Sequence, residues 1–238
     1  MAYFNADFPT ALPTPSYAYH QLASRFQDPV ECLAAHLMLE CSEVLAGVKP
    51  ANLVSLVNRT RSCGRNLYQL WQSHHNMLFT HLGGLNFKIL QTRENALLLF
   101  CYNPDQLENH LAHQGIRTLL KKAGYDTALS SAALLEDLCG RFKDSGTFPH
   151  EIGLFIGYPA KDVAAFMGLV KLPFACQGPW KIYGDPAQSL CLADAYRRSR
   201  AAMGNHLAGC NSPFDCLDHT DRGEMHFFCP NTDKDCHF

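Results

Sequence analysis

Apolar residues recur at helical spacing through Leu33, Leu37, Cys41 and Val44. Asp28 stands before this stripe as an N-cap and Pro29 suits a first turn, while Gly47 suits a stop, so the pattern predicts a helix over 29–46. Pro50 is expected to open a short second helix through Leu53 and Leu56. A longer helix over 64–82 ends at Gly83-Gly84. The pattern then turns to strands over 86–90 and 96–102. The short polar link Thr92-Arg93-Glu94-Asn95 makes them a hairpin. Asn103-Pro104-Asp105 closes the second strand and opens a helix through Leu107 and Leu111, and further helices are expected over 116–123 and 130–142. The run Ile152-Gly153-Leu154-Phe155-Ile156 is apolar enough for a buried strand. Pro159 ends it and starts a helix to about residue 169. Residues 180–183 read as a short strand, and Gly184-Asp185-Pro186 leads into a last helix that ends near Arg200, with Asp185 as its cap.

These elements predict an α+β fold: about four strands in a small mixed or mostly antiparallel sheet, covered by helices. An extended arm rich in Pro and aromatic residues occupies 1–27, a single domain 28–203, and an irregular Cys/His-rich tail 204–238. No internal repeat is visible.

Composition sharpens this picture in three ways. A hydrophobic share of 47% against 18% charged residues supplies a core. A formal net charge of -2 gives no electropositive face for nucleic acid or a membrane surface, and Arg197, Arg198 and Arg200 suit a helix end. No apolar run reaches the ~20 residues that span a bilayer, and the N-terminal stretch lacks a basic start and an apolar stretch for export. The expected location is the cytoplasm. There, 11 cysteines, an odd number, serve as thiols and not as complete disulfide pairs. Cys32, Cys101, Cys139 and Cys191 sit in apolar patterns and are expected to be small buried hydrophobes. His74, His75, His110 and His113 read as surface residues.

Three blocks occur in order: Leu45-Ala46-Gly47-Val48-Lys49-Pro50-Ala51-Asn52-Leu53; then residues 148–159, which read Phe-Pro-His-Glu-Ile-Gly-Leu-Phe-Ile-Gly-Tyr-Pro, with Asp162-Val163; then Gly178-Pro179-Trp180-Lys181-Ile182-Tyr183-Gly184-Asp185. Together they resemble the bacterial family named domain of unknown function 3793, over roughly residues 28–200. The resemblance implies no particular activity. It implies a cysteine shortly before the first block and another before the third, places held here by Cys41 and Cys176.

Two constellations could carry chemistry. The first combines Cys41, His150, Glu151, Cys176 and Lys181 as a catalytic set. His150 moves protons near neutral pH, Glu151 orients a partner or binds a cation, and a cysteine becomes a nucleophile where Lys49, Lys181 or His150 lowers its pKa. The second is the tail, where Cys216-x2-His219 and His226-x2-Cys229 form mirrored knuckles of the ligand types that zinc prefers. Cys229-Pro230 also resembles the dipeptide of haem-responsive proteins. Zinc or iron/haem is therefore the expected cofactor, and the absence of any Gly-rich phosphate motif predicts no nucleotide. The leading expectation is a protein that binds a metal or metallo-cofactor. The alternatives are an enzyme acting on a small molecule through the first constellation, and a regulatory or interaction module without catalysis.

Overall fold

The computed structural model describes residues 22, 25–61, 64–82, 84–144 and 148–218, and the arm expected over 1–27 lies mostly outside them. Helix α1 (Pro29–Glu40) starts where Asp28 Oδ1 accepts the amides of Val30 (2.8 Å) and Glu31 (3.0 Å). It breaks at Cys41, so the single helix expected to residue 46 is α1 and then one further turn, α2 (Ser42–Leu45). Gly47, with φ +73°, then reverses the chain.

The segment after this reversal is a strand and not the expected helix. β1 (Ala51–Val57) pairs antiparallel with β3 (Ala96–Tyr102) from Ala51↔Tyr102 to Val57↔Ala96. Its burial shows the two-residue period of a strand at its end, with Val54 and Leu56 buried and Ser55 and Val57 exposed. α3 (Leu67–His81), capped by Asn66, leads to β2 (Asn86–Arg93), which closes the expected hairpin with β3. The sheet order is β1-β3-β2, antiparallel throughout.

Central strand β3 divides the interior. Leu97, Leu99 and Cys101 face one core, built with α1, α3 and the end of the last helix. Phe100, flanked by Leu98 and Tyr102, faces a second core built with α4 (Pro104–Ala112), α5 (Gln114–Lys122) and α6 (Ser131–Asp144). Both sides of β3 are thus covered, which explains its near-continuous apolar sequence. The α+β class holds, with the expected four-stranded sheet resolved into this three-stranded sheet and a separate two-stranded ribbon, β4 (Phe174–Gln177) and β5 (Lys181–Tyr183).

The apolar run at 152–156 is a helical turn, α7 (Ile152–Phe155), not a strand. It starts in a chain of short-range bonds: the amide of Ile152 donates to Pro149 O, that of Gly153 to His150 O and that of Leu154 to Glu151 O. Residues 151–156 are all buried, so the run is apolar on every side, and periodicity is silent between a buried strand and a buried turn. α8 (Ala160–Phe166) comes directly after Pro159. The last helix, α9 (Ala187–Gly209), runs past the expected end near Arg200. Its far end buries Met203 and Leu207 in the first core, which Cys216 also joins from within the short α10 (Asp215–Asp218). The segment from 204 to 216 therefore contributes to the core. Cys32, Cys101 and Cys139 are buried as expected, whereas Cys191 is exposed on α9. His110 is more than a surface residue, since its Nε2 lies 2.7 Å from Leu154 O and ties α4 to α7. Among the described residues no helix is long and apolar enough to cross a membrane.

His36, on the buried face of α1, is 3% exposed, and burial above all lowers its pKa to about 4. The unfolded chain takes that proton near pH 6.5, the folded protein only near pH 4. Between these values the unfolded state binds more protons, so stability is complete above the window and falls as pH drops through it. The loss from this group should reach about 3 kcal/mol. Urea denaturation at several pH values should show that slope, and His36→Leu should flatten it.

Candidate functional site

The three sequence blocks converge on one edge of the molecule. The joint is Asp162, in the first turn of α8 and 1% exposed. Its Oδ2 accepts from Trp180 Nε1 at 2.8 Å and from Ser189 Oγ at 2.6 Å; its Oδ1 accepts from Lys161 Nζ at 2.8 Å and the Tyr183 amide at 2.9 Å. Burial would raise the Asp162 carboxyl, but these hydrogen bonds outweigh it and hold the group below its ordinary range. One carboxylate thus fastens the β4–β5 ribbon and the start of α9 to α8. A second joint brings in the first block: at Gly157 (φ +80°) an added Cβ would lie 2.5 Å from Pro50 Cδ, so the two segments touch only because residue 157 is glycine.

Tyr158 stacks on Trp180 with centroids 4.6 Å apart, and Tyr158 with Pro179 forms a wall shared by two clefts. The first cleft, of about 430 Å³, has an apolar floor that includes Leu53, Ile152, Ile156 and Val163. Its rim carries His150 and Lys181, both exposed. They meet on a single ring: His150 packs edge-on against Phe166 at 4.9 Å, and Lys181 Nζ lies 5.5 Å from the same centroid. Gln177 adds an amide.

The second cleft, of about 620 Å³, is lined by more charged side chains, among them Glu43, Lys49, Asp194 and Arg200. Lys49, 4% exposed, lies in its wall. Its Nζ donates to Asn52 Oδ1 at 2.8 Å and sits 5.2 Å from the Tyr158 ring centroid and 5.0 Å from that of Tyr196. Asn52 is itself fixed by the hydrogen bond that its Nδ2 donates to Glu40 O at 2.5 Å. Arg200, also in the cleft, pairs with Glu40 at 2.7 Å. Burial pushes the Lys49 amine down and the Glu43 carboxyl up.

Of the expected catalytic set, His150 and Lys181 come together. Glu151 points elsewhere: its Oε1 accepts from Tyr125 OH (3.2 Å) and Arg141 Nη1 (3.3 Å) in the second core, because the helical turn sends neighbouring side chains in different directions. Cys41 is sealed in the first core against Cys101. That contact, with burial, raises its thiol well above the ordinary value, the reverse of what a nucleophile needs. Cys176 packs under the ribbon against the cluster of Trp180, Ile182 and Tyr196, and does not line either cleft. Of the expected metal ligands, Cys216 is buried, and burial first and the neighbouring Cys210 next raise its thiol. His219, His226 and Cys229 lie outside the described residues. Among the described residues no three His, Cys, Asp or Glu side chains gather as a metal site.

Asn52 was legible in sequence only as a member of the first block, and Lys49 beyond that only as a cation that could lower a cysteine's pKa. Their partners Tyr158 and Tyr196 are distant along the chain, and no local spacing joins them.

A family model described as "Protein of unknown function (DUF3793)" matches residues 37–216, a span that contains all three blocks and both clefts. No curated protein and no solved structure matches the chain.

Asp162→Ala strips the acceptor from Trp180, Ser189 and the Tyr183 amide at once. It should destabilise the fold by about 3–5 kcal/mol, as expected when one partner of a buried pair is removed. Hydrogen exchange should accelerate at Tyr183 far more than along the β1–β3 ladder; uniform acceleration would show that Asp162 does not fasten the ribbon in particular.

Proposed function

This chain belongs to the DUF3793 family, and from its geometry we propose that it binds a small, mostly apolar molecule with an anionic end in the cleft beside His150 and Lys181. One arrangement carries the reading: a cation and an imidazole converge on the Phe166 ring at the rim of a mostly apolar cavity, whose other polar side chains are Gln177 and the already satisfied Asp162. Apolar walls with few convergent polar groups are the usual form of a small-molecule site. The floor would bury the hydrocarbon part of the ligand, at about 25 cal/mol per Å² of apolar surface. Lys181 would donate to the anion with its ammonium, and His150 would supply a second donor beside the same Phe166 ring.

Metal or haem binding by the C-terminal segment is a second reading. It is supported by Cys210 and Cys216, neighbouring thiols near the end of the described residues, next to the remaining Cys/His pairs of the sequence. Thiolates would have to form against the burial that keeps Cys216 protonated, so metal uptake should release protons. Protein purified without an affinity tag should then carry stoichiometric zinc, iron or haem in aerobic or anaerobic preparations; metal-free and haem-free protein in both overturns this reading.

For the cleft, anilinonaphthalene sulfonate is a suitable probe and decanoate a competitor. Loss of one charge-assisted hydrogen bond in Lys181→Met should weaken decanoate binding about tenfold or more. His150→Ala should weaken it less. Affinity unchanged in Lys181→Met, or no competition by decanoate, would remove the proposal.

A further inference from the structure

The second cleft holds chemistry that the first does not use. Lys49 is buried, yet its Nζ borders a cavity of about 620 Å³. Among the described residues no carboxylate lies within ion-pair distance of it, and its hydrogen bond goes to the neutral amide of Asn52. Two tyrosine rings fix the stem and head between them. A lysine kept only for packing would extend its head to water, since four methylenes suffice for that. Here the head is instead turned into a wall and orientated by three groups from separate segments.

We infer that Lys49 Nζ is a nucleophilic amine and that the cleft behind Tyr158 accepts a small aldehyde or ketone. This site is separate from the His150 cleft and does not depend on a ligand bound there. The neutral amine forms a bond from nitrogen to the carbonyl carbon while the carbon–oxygen π pair moves to oxygen. A proton passes from nitrogen to that oxygen, giving a carbinolamine. Protonation of its hydroxyl by the Glu43 carboxylic acid then releases water as the nitrogen lone pair forms the iminium. The Glu43 carboxylate is left facing that cation. Glu43 suits the task because it lines the same cleft as Lys49. Burial keeps a larger share of the amine neutral and of Glu43 protonated than in water, the two forms that these steps need. Asn52, held by Glu40 O, is a positioning residue that aims Nζ.

The native chain at neutral pH, with pyruvate or acetaldehyde and cyanoborohydride and then peptide mapping, provides the test. Lys49 should carry more reduced adduct than any other lysine, exposed Lys121 and Lys122 included. The label at this position should be lost in Lys49→Met, and occupancy should fall in Glu43→Gln while the other lysines keep their labels. Labelling by pyruvate alone would mean that the site requires a carboxylate beside the carbonyl; labelling by both would mean that the carbonyl suffices. Adduct that tracks solvent exposure, with Lys49 unmodified by either probe, overturns the inference. Lys181→Met leaves this labelling intact if the two clefts are independent, so failure here and failure of decanoate binding are distinguishable.

Discussion

The buried carboxylate of Asp162 is the constraint on which both clefts depend. It borders the His150 cleft and accepts from an indole, a hydroxyl, an ammonium and a backbone amide. A small two-stranded ribbon has little apolar surface of its own and is marginal in isolation. Here it is held as part of the fold because its Trp180 donates to that carboxylate while stacking on Tyr158. The wall between the clefts therefore exists only while Asp162 stays charged and satisfied. Displacement of the wall would open the His150 cleft and the Lys49 cleft together.

Strand β3 sets the larger frame. Its alternate side chains serve two cores, so α1, α3 and the far end of α9 pack on one side of the strand and α4, α5 and α6 on the other. β1 enters beside it directly after the Gly47 reversal, which places Lys49 and Pro50 at the sheet edge. There Pro50 meets Gly157 and Lys49 meets the two tyrosines. The arrangement ties function to fold with few residues. The turn that starts β1 delivers the amine, the turn that ends α7 delivers Tyr158, and α9 delivers Tyr196.

Polar groups in this protein divide by how burial treats them. Asp162 is buried with enough donors to stay ionised, whereas Glu43 and Lys49 are buried with too few, and each shifts toward its neutral form. Cys41 shows the same principle applied to a thiol: contact with Cys101 and an apolar surround keep it protonated and inert. A cysteine in an apolar helical stripe reads the same in sequence whether it ends as filler or as nucleophile. His150 and Lys181 could be named from sequence by the chemistry of their side chains within the family blocks, yet their meeting on Phe166 could not.

Local chemistry along the chain is enough to set the helices with explicit caps and the β2–β3 hairpin, because Asp28, Asn66 and Asn103 act on amides two or three residues away and the hairpin link is short. The three blocks that identify the family are equally plain in the residue order. Residues 51–57 and 152–156 took their identity from packing instead. Both are short and apolar; one became a strand because β3 offered its edge, and the other a turn because burial on all sides left its backbone to bond locally. Packing also settled which titratable groups share a cavity. Lys49, Tyr158 and Tyr196 are brought together by three separate segments, and the local pattern around each holds no trace of the other two.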